Sequence, residues 1–425
     1  MRKTKENTNI WDVVVIGGGP AGLMAASTAG KFGAKALLLE KNEIMGKKLL
    51  ISGGGRCNMT NTEPENVFMS KFGKKGNFLF TPFSIFDVGD SIRFFESLGV
   101  KTKVEPVFRV FPVSDKSMDV LGALVRSAEK NKVEFKLGVG VSHIKKAKDK
   151  IESVILENGE EIKAKSFILA TGGKSHPETG STGDGLKWLK EIGHKVAESN
   201  PSLVPVQTKE KWVSELAGIT LTDVGISLWQ GGKKVLSKKG RMLFTHNGLS
   251  GPTIINMSKT IGELLKGGEV KIAIDFFPGV GLDVMHENFK NLFEKNPRKM
   301  IKNLPFKEVP DKVYAKLLEL MGMDGDWYAN EVRRPERFAI IEKMKKFELT
   351  ADKLLGFDKA IVSSGGIDLS EVDFKEMRSK IYDNLFFVGD ILDFDRPSGG
   401  YSLQLCWTTG YVAGKSAAQR SKLDK

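Results

Sequence analysis

The sequence predicts an α/β protein whose parallel sheet is built from both ends of the chain, with an insert between them that changes from β-rich to helical. Three observations predict it. The first is a strand–turn–helix–strand unit from Trp11 to Glu40, WDVVVIGGGPAGLMAASTAGKFGAKALLLE. The second is the loss of βα alternation over residues 201–350. The third is its return in 351–425, where a strand ending in Gly389-Asp390 leads through Arg396-Pro397-Ser398-Gly399-Gly400-Tyr401 into an apolar helix. The expected boundaries are therefore 1–200 and 351–425 for the two parts of one domain. The insert between them reads as strands over about 201–276 and helices over about 277–350.

The first unit carries the most chemistry. Val13 to Ile16 form an apolar run that reads as a buried parallel strand. It enters Gly17-Gly18-Gly19-Pro20-Ala21-Gly22, a helix follows to about Phe32, and a second apolar strand spans Ala36 to Leu39, closed by Glu40. The turn holds G-x-G-x-x-G at Gly17, Gly19 and Gly22, with Pro20 and Ala21 inside it. Gly17 permits the tight turn, Gly19 lets a pyrophosphate approach the backbone, and Gly22 lets helix and sheet pack closely. The new helix turns its free N–H groups and positive dipole end towards those phosphates. Glu40 is placed to accept hydrogen bonds from both ribose hydroxyls, which prefers FAD or NAD over NADP.

After Glu40 and Lys41 comes a second glycine cluster, Gly46-Lys47-Lys48-Leu49-Leu50-Ile51-Ser52-Gly53-Gly54-Gly55-Arg56-Cys57-Asn58. Successive backbone N–H groups there suit an anion nest, with Arg56 as a charged clamp. Lys41, Lys48 and Gly55 to Asn58 are read as parts of one cofactor lining. Val88 to Leu98 reads as a helix stopped by Gly99, Val107 to Val113 as a strand, and Ser114 or Asp115 as the cap of a helix to about Lys130. Val133 to Leu137 is a strand, and Val141–Lys145, Ile151–Leu156 and Glu161–Lys163 form a meander with a turn at Asn158-Gly159. The strand Ser166–Leu169 ends in Ala170-Thr171-Gly172-Gly173, small residues across which a cofactor can lie. The glycine-rich KSHPETGSTGDG and a helix to about Ile192 follow.

The insert reads as short strands from Val204 to about Ile274, with a helix after Gly251-Pro252, then short helices from about Leu282 to Met321. In the last segment Asn384 to Asp390 is a strand whose terminal carboxylate suits ribityl hydroxyls. The helix start at Gly399-Gly400 carries about half a positive charge, aimed at the N1–C2=O edge of a flavin.

Composition narrows the partners. The formal net charge is +13, but the lysines fall in short pairs such as Lys47-Lys48 and Lys233-Lys234, without interleaved aromatics. That pattern reads as a solvated surface, so nucleic acid is an unlikely partner and a small molecule is the expected one. Cys57 and Cys406 are the only cysteines and lack Cys-x-x-Cys spacing, which suits a reducing cytoplasm and packing roles near the cofactor. Five scattered histidines make no metal cluster, no apolar run approaches the ~20 residues of a membrane span, and MRKTKENTNI lacks the apolar stretch of a secretory signal. Oligomeric state is left open.

These motifs together resemble the BaiN-like or aminoacetone-oxidase-like NAD(P)/FAD-dependent oxidoreductases, within the glutathione-reductase-type flavoprotein superfamily. The resemblance rests on VVVIGGGPAGLMAA, GKKLLISGGGRCNMTN, ATGGKSHPETGSTGDG, FTHNGLSGP, VSSGGI and FVGDILDFDRPSGGYSLQLCWTTGYVAG, and spans almost the full length. It implies a Rossmann-type FAD-binding domain built from both chain ends, with an inserted β-barrel-like region and a small helical subdomain. Carried over by motif, Gly17, Gly19, Gly22 and Glu40 hold the ADP half, and Arg56, Cys57 and Asn58 lie near the pyrophosphate and flavin. Ala170, Thr171 and Gly172 pass beneath the cofactor, while Gly389, Asp390, Gly399, Gly400 and Tyr401 approach the ribityl chain and ring. The chain departs from the usual pattern at His176, Asp390 and Ser402, where Tyr, Glu and Asn are common; Asp390 keeps the charge.

The expected activity is that of an FAD-dependent oxidoreductase acting on a small organic molecule, a reductase of a conjugated carbonyl compound. No second G-x-G-x-x-G is present, so NAD(P)H would dock transiently or another reductant serves. An amine or hydroxy-compound oxidase, a flavin-dependent RNA-modifying protein and a flavin-bearing redox sensor are the alternatives. His246, in Thr245-His246-Asn247-Gly248, and His176 are the catalytic candidates, because an imidazole exchanges protons near neutrality.

Overall fold

The computed structural model describes residues 10–356 and 362–423. The leading MRKTKENTN, residues 357–361 within the expected second part of the first domain, and the last two residues lie outside the described residues. The chain divides into two compact units, Met1–Pro201 with Ala360–Lys425, and Ser202–Lys359.

The first unit opens with β1 (Trp11–Ile16) and β2 (Ala36–Leu39), parallel strands joined by the first helix, Pro20–Lys31. Val13 to Ile16 and all of β2 are buried, as the centre of a parallel sheet demands. The strands β3 (Thr60–Asn61), β4 (Thr102–Glu105) and β5 (Arg109–Pro112) make a small antiparallel sheet in the order β3-β5-β4. The apolar run from Val107 suggested a strand there, but Val107 and Phe108 form the turn and the strand begins at Arg109. The helix Ser117–Lys130 is capped at Lys116, not at Ser114 or Asp115. Asp115 has a left-handed backbone (φ 55) and gives its carboxylate to Arg56 and Lys103.

Next, β6 (Glu134–Lys136) lies parallel to β2, and β7 (Val141–Lys146), β8 (Ile151–Leu156) and β9 (Glu161–Leu169) form the meander. The two strands expected at Glu161–Lys163 and Ser166–Leu169 are one strand of nine residues. Its start pairs antiparallel with β8 (Val154↔Ile162), and its end pairs parallel with β1 (Ile16↔Leu169). The strand β10 (Val196–Ser202) closes this part.

The second unit is a closed barrel. Its strands are β11 (Val206–Thr208), β12 (Thr220–Gln230), β13 (Lys233–Thr245), β14 (Gly248–Ser250), β15 (Val270–Asp275) and β16 (Phe347–Leu354). Their order is β11-β14-β13-β12-β15-β16, and closure leaves no free edge to pair with another chain. Ile226, Leu228, Phe244 and Leu349 from the strands share one core with Phe289, Leu317 and Ile341 from the helices Leu282–Lys295, Asp311–Leu320 and Arg334–Lys345.

The chain then returns to the first unit. The strand β17 (Val362–Ile367) pairs with β10, while β18 (Val372–Asp373), β19 (Arg378–Ser379) and β20 (Leu385–Phe387) extend the main sheet. That sheet reads β18-β19-β20-β9-β1-β2-β6, so β20 lies parallel to β9 two places from β1. The last helix, Tyr401–Leu423, lies against the first. A Cβ on Gly410 would fall 2.6 Å from the Ala21 carbonyl oxygen, and one on Gly414 would fall 2.3 Å from that of Ala25. No helix among the described residues is long and apolar enough to cross a membrane.

His194 marks a buried polar joint in this unit. Its side chain is fully buried, with Nδ1 2.8 Å from Glu371, Nε2 3.2 Å from Ser379 Oγ, and the Phe387 ring edge-on at 5.3 Å. Burial pushes its pKa down, and the neighbouring Glu371 does not offset this.

Two outcomes are expected. Gly414→Val should lower the unfolding free energy by about 1–3 kcal/mol or more, read from denaturant melts, because an added side chain has no room against the first helix. For His194, the unfolded chain binds the proton more readily than the native one. Stability should therefore fall as pH drops below about 6.5, above the range where ordinary carboxylates titrate. His194→Gln should flatten that limb of a plot of Tm against pH.

Candidate functional site

The turn after β1 separates its three glycines by task. Gly17 has φ 110, and a Cβ there would fall 2.5 Å from the Ala170 carbonyl oxygen at the end of β9. A Cβ on Gly22 would fall 1.9 Å from the Gly17 oxygen. Both are held by close backbone packing. A Cβ on Gly19 would meet nothing within 4 Å, so the turn is open on that side alone, at the start of the first helix. An open helix N-terminus of this kind suits a phosphate.

Glu40 is nearly buried and braces the same turn. Its Oε2 accepts from the Gly18 N–H at 2.7 Å, and its Oε1 accepts from the Asn42 N–H at 2.8 Å and the Asn42 amide at 2.7 Å. A carboxylate accepts about four hydrogen bonds, so capacity for a ribose hydroxyl is left over. The sequence pointed to the ribose alone; Glu40 also holds the loop in shape.

Two cations read as cofactor ligands are engaged elsewhere. Lys41 donates to Thr182 Oγ1 at 2.6 Å and to Asp184 at 2.8 Å, which ties down the KSHPETGSTGDG loop. Arg56 is not a free phosphate clamp: its guanidinium grips Glu105 and Asp115 and lies 4.2 Å from the Phe111 ring. Glu105 ends β4 and Asp115 follows β5, 49 and 59 residues away in sequence, where no local pattern announces them. The glycines before it do make an unusual stretch, since Gly53, Gly54 and Gly55 are all left-handed (φ 58, 68 and 84).

Asn58 has a structural task. In the orientation that satisfies its neighbours, its amide accepts from the Gly400 N–H at 3.1 Å and donates to the carbonyls of Thr60 at 3.1 Å and Val110 at 3.2 Å. Asn61 adds a second link, donating to the carbonyls of Gly399 at 3.2 Å and Val107 at 3.1 Å. A Cβ on Gly400 would fall 2.4 Å from the Thr60 carbonyl oxygen. The RCNMTN segment thereby seats the Gly399-Gly400 turn.

Tyr401 departs from the expectation of a ring contact. It is buried, its hydroxyl donates to Glu63 at 2.5 Å, and its ring packs 4.8 Å from Phe68 and 6.3 Å from Phe72. Burial, with help from Glu63, pushes the phenol pKa up. Cys57 and Cys406 are free and buried, and burial pushes the Cys57 thiol up to about 12, far from a reactive thiolate.

The charged centre lies where Lys48, Asp390 and Arg396 converge. Lys48 Nζ is 3.5 Å from Asp390 Oδ2 and donates to Ser175 Oγ, and Arg396 is 3.2 Å from Asp390 Oδ1. The Arg396 side chain is fully buried, yet none of its three guanidinium nitrogens makes an aligned hydrogen bond, nor does Asp390 Oδ1. Burial would raise the Asp390 pKa, but Arg396 and Lys48 outweigh it and hold the carboxyl below its usual range. Two cations against one carboxylate leave a positive charge unbalanced, which fits an anionic cofactor. Sequence reading missed Arg396 and Asn61; the one signal was a charged residue, Arg396, two places before the Ser398-Gly399-Gly400 turn.

Gly389 joins the two chain ends. Its φ is 70, and a Cβ there would fall 2.8 Å from the Ala21 Cβ in the first helix. At the end of β9, Thr171 Oγ1 is buried without a partner and Gly172 is left-handed (φ 71). His176 is also left-handed (φ 53), with Nδ1 2.8 Å from Glu178. His246 belongs to the other unit, exposed in the two-residue turn between β13 and β14. A cavity of about 410 Å³ in the first unit has Lys75, Lys195, Asp368 and Asp393 in its wall. Lys75 and Asp393 pair there at 2.6 Å, so its charges balance internally. Among the described residues no group of His, Cys, Asp and Glu is arranged to hold a metal ion.

Two of the turn's glycines, Gly19 and Gly22, make separable predictions. Gly19→Val should leave the melting temperature of flavin-free protein close to wild type while abolishing flavin retention through purification. Gly22→Val should instead destabilise the fold itself, by about 1–3 kcal/mol or more, in denaturant melts of the same flavin-free protein.

Comparison with known proteins identifies the family. The profile of the HI0933-like protein Rossmann domain matches residues 11–416. The 3-dehydro-bile acid delta(4,6)-reductase of Clostridium scindens is 32% identical over 410 residues, covering 96% of this chain and 98% of that protein. The ribosomal RNA dihydrouridine synthase of Escherichia coli is 27% identical over 414 residues, covering 95% and 97%. Among solved structures, a 3-ketosteroid delta1-dehydrogenase from Sterolibacterium denitrificans matches 97% of this chain and 100% of its own, with a TM-score of 0.56 at 11% identity, a likeness of fold. The chain belongs to the HI0933-like Rossmann-domain family of FAD-dependent oxidoreductases.

Proposed function

We propose that this protein is a reductase that saturates a carbon–carbon double bond conjugated to a carbonyl, in an apolar acceptor of steroid-like type, with NADH or NADPH as donor. The observation that carries this reading is the near full-length similarity to a 3-dehydro-bile acid delta(4,6)-reductase, whose name places the reduced bonds next to a ring ketone. FAD, when bound, supplies the hydride transfer that amino-acid side chains cannot perform.

The chain's own groups do the rest. The open N–H groups at Gly19 and the first helix bind the pyrophosphate, and Glu40 keeps that turn in shape and takes a ribose hydroxyl. Lys48 and Arg396 provide the positive charge, with Asp390 between them held ionised as an acceptor for ribityl hydroxyls. Ala170, Thr171 and Gly172 form the floor, and the positive end of the last helix at Gly399-Gly400 favours negative charge on the ring. Saturating a conjugated bond also needs a proton. In His176, Nδ1 is tied to Glu178, which leaves Nε2 as the exchanging atom; His246 is the corresponding candidate of the second unit. Two buried free thiols suit a cytoplasmic setting.

A second reading is favoured by the ribosomal RNA dihydrouridine synthases, similar over 95% and 96% of this chain. Its chemistry is related, since the C5=C6 bond of uridine is also conjugated to a carbonyl.

The test is an anaerobic titration of the holoenzyme with NADH, then NADPH, followed by addition of a 3-oxo-4-ene steroid or of unmodified ribosomal RNA. The expected result is bleaching of the flavin band by one nucleotide and its recovery with the steroid, with a gain of two hydrogens in the product by mass spectrometry. Recovery only with RNA moves the assignment to the second reading. Recovery only with oxygen sinks both and points to an oxidase.

A further inference from the structure

The turn between β4 and β5 breaks two rules at once. Val107 (φ 64) and Phe108 (φ 58) are both left-handed, a conformation that hairpin turns normally assign to Asn and Gly. A β-branched residue such as valine is a particular outlier there. Both side chains are also exposed, 71% for Val107 and 51% for Phe108. Neither turn geometry nor burial accounts for this pair, and Asn-Gly would satisfy the backbone better. Strain that a fold does not require is often kept for what the side chains touch.

The turn is firmly seated. The Thr62 N–H donates to the Phe108 carbonyl at 2.8 Å, and Arg109 Nε donates to that of Pro106 at 3.2 Å. The Asn61 amide donates to the Val107 and Gly399 carbonyls together, so one side chain spaces the turn from the Gly399-Gly400 pair. Gly400 is in turn pressed on Thr60, the neighbour of Asn61. Two exposed apolar side chains are thus held in a fixed position beside the glycine turn assigned above to the flavin.

We propose that Val107 and Phe108 form an apolar wall that receives the hydrocarbon body of the acceptor, and that this turn determines specificity for large, steroid-like molecules. The inference rests on the reductase reading for its ligand class, and on the strained turn and its Asn61 tether for its location.

The test measures binding without turnover. Equilibrium dialysis of a saturated 3-oxo steroid is run against the wild-type holoenzyme and the double variant Val107→Asn/Phe108→Gly, with Tm and flavin content measured on both. The expected result is binding about ten- to a hundredfold weaker in the variant, with Tm equal to or above wild type because the strain is relieved. Equal binding by the two proteins, no binding by the wild type, or a variant that melts lower each overturn the proposal. So does a variant that loses only its affinity for neutral phosphatidylcholine vesicles, which would assign the turn to a lipid surface. A wild type that binds the steroid tightly but does not reduce a 3-oxo-4-ene steroid removes the reductase reading and leaves this wall in place.

Discussion

The structure of the first unit depends on how closely its last helix can approach its first. Gly410 and Gly414 leave no room for even a methyl group against the Ala21 and Ala25 carbonyls, and Gly389 is as tight against the Ala21 side chain. These contacts bring a segment from the end of the chain onto the strand–turn–helix unit at its start. They also set where Asp390, Arg396 and the Gly399-Gly400 turn lie relative to Gly19. A long insert between the two parts is tolerated because the closed barrel completes its own core and leaves no open edge.

Much of this was legible from residues alone. Trp11 to Glu40 announces itself because each of its signals is local: an apolar run, a glycine turn, a helix and a closing acid within 30 residues. What sequence misread was of another kind. Lys41, Arg56 and Tyr401 lie in the right motifs, but their partners are Asp184, Glu105 with Asp115, and Glu63. Those partners lie between 49 and 338 positions away in sequence, and only the folded chain names them. Glu161 to Leu169 reads as two segments because one strand changes neighbours midway, from an exposed meander to the buried sheet, and its burial pattern changes with it.

The site combines rigidity with an electrostatic imbalance. Asn58 and Asn61 do not add charge; they position a glycine turn by hydrogen bonds to its N–H and carbonyl groups. Lys48 and Arg396 around one carboxylate then leave positive charge unbalanced in a largely buried place. That pairing of an open, rigid glycine backbone with surplus positive charge suits a group that carries phosphates and gains negative charge when reduced. The proposed substrate side is built differently, since the strained Val107-Phe108 turn offers apolar surface and no charge.

The central claim is that the two chain ends together form one FAD cradle. The most direct measurement is to purify the full chain, release any bound nucleotide by heat, and identify and quantify it by chromatography and absorbance. The account predicts FAD, near one equivalent per chain once the protein is saturated with added cofactor. Protein that carries FMN, or that neither contains nor takes up FAD, would contradict it.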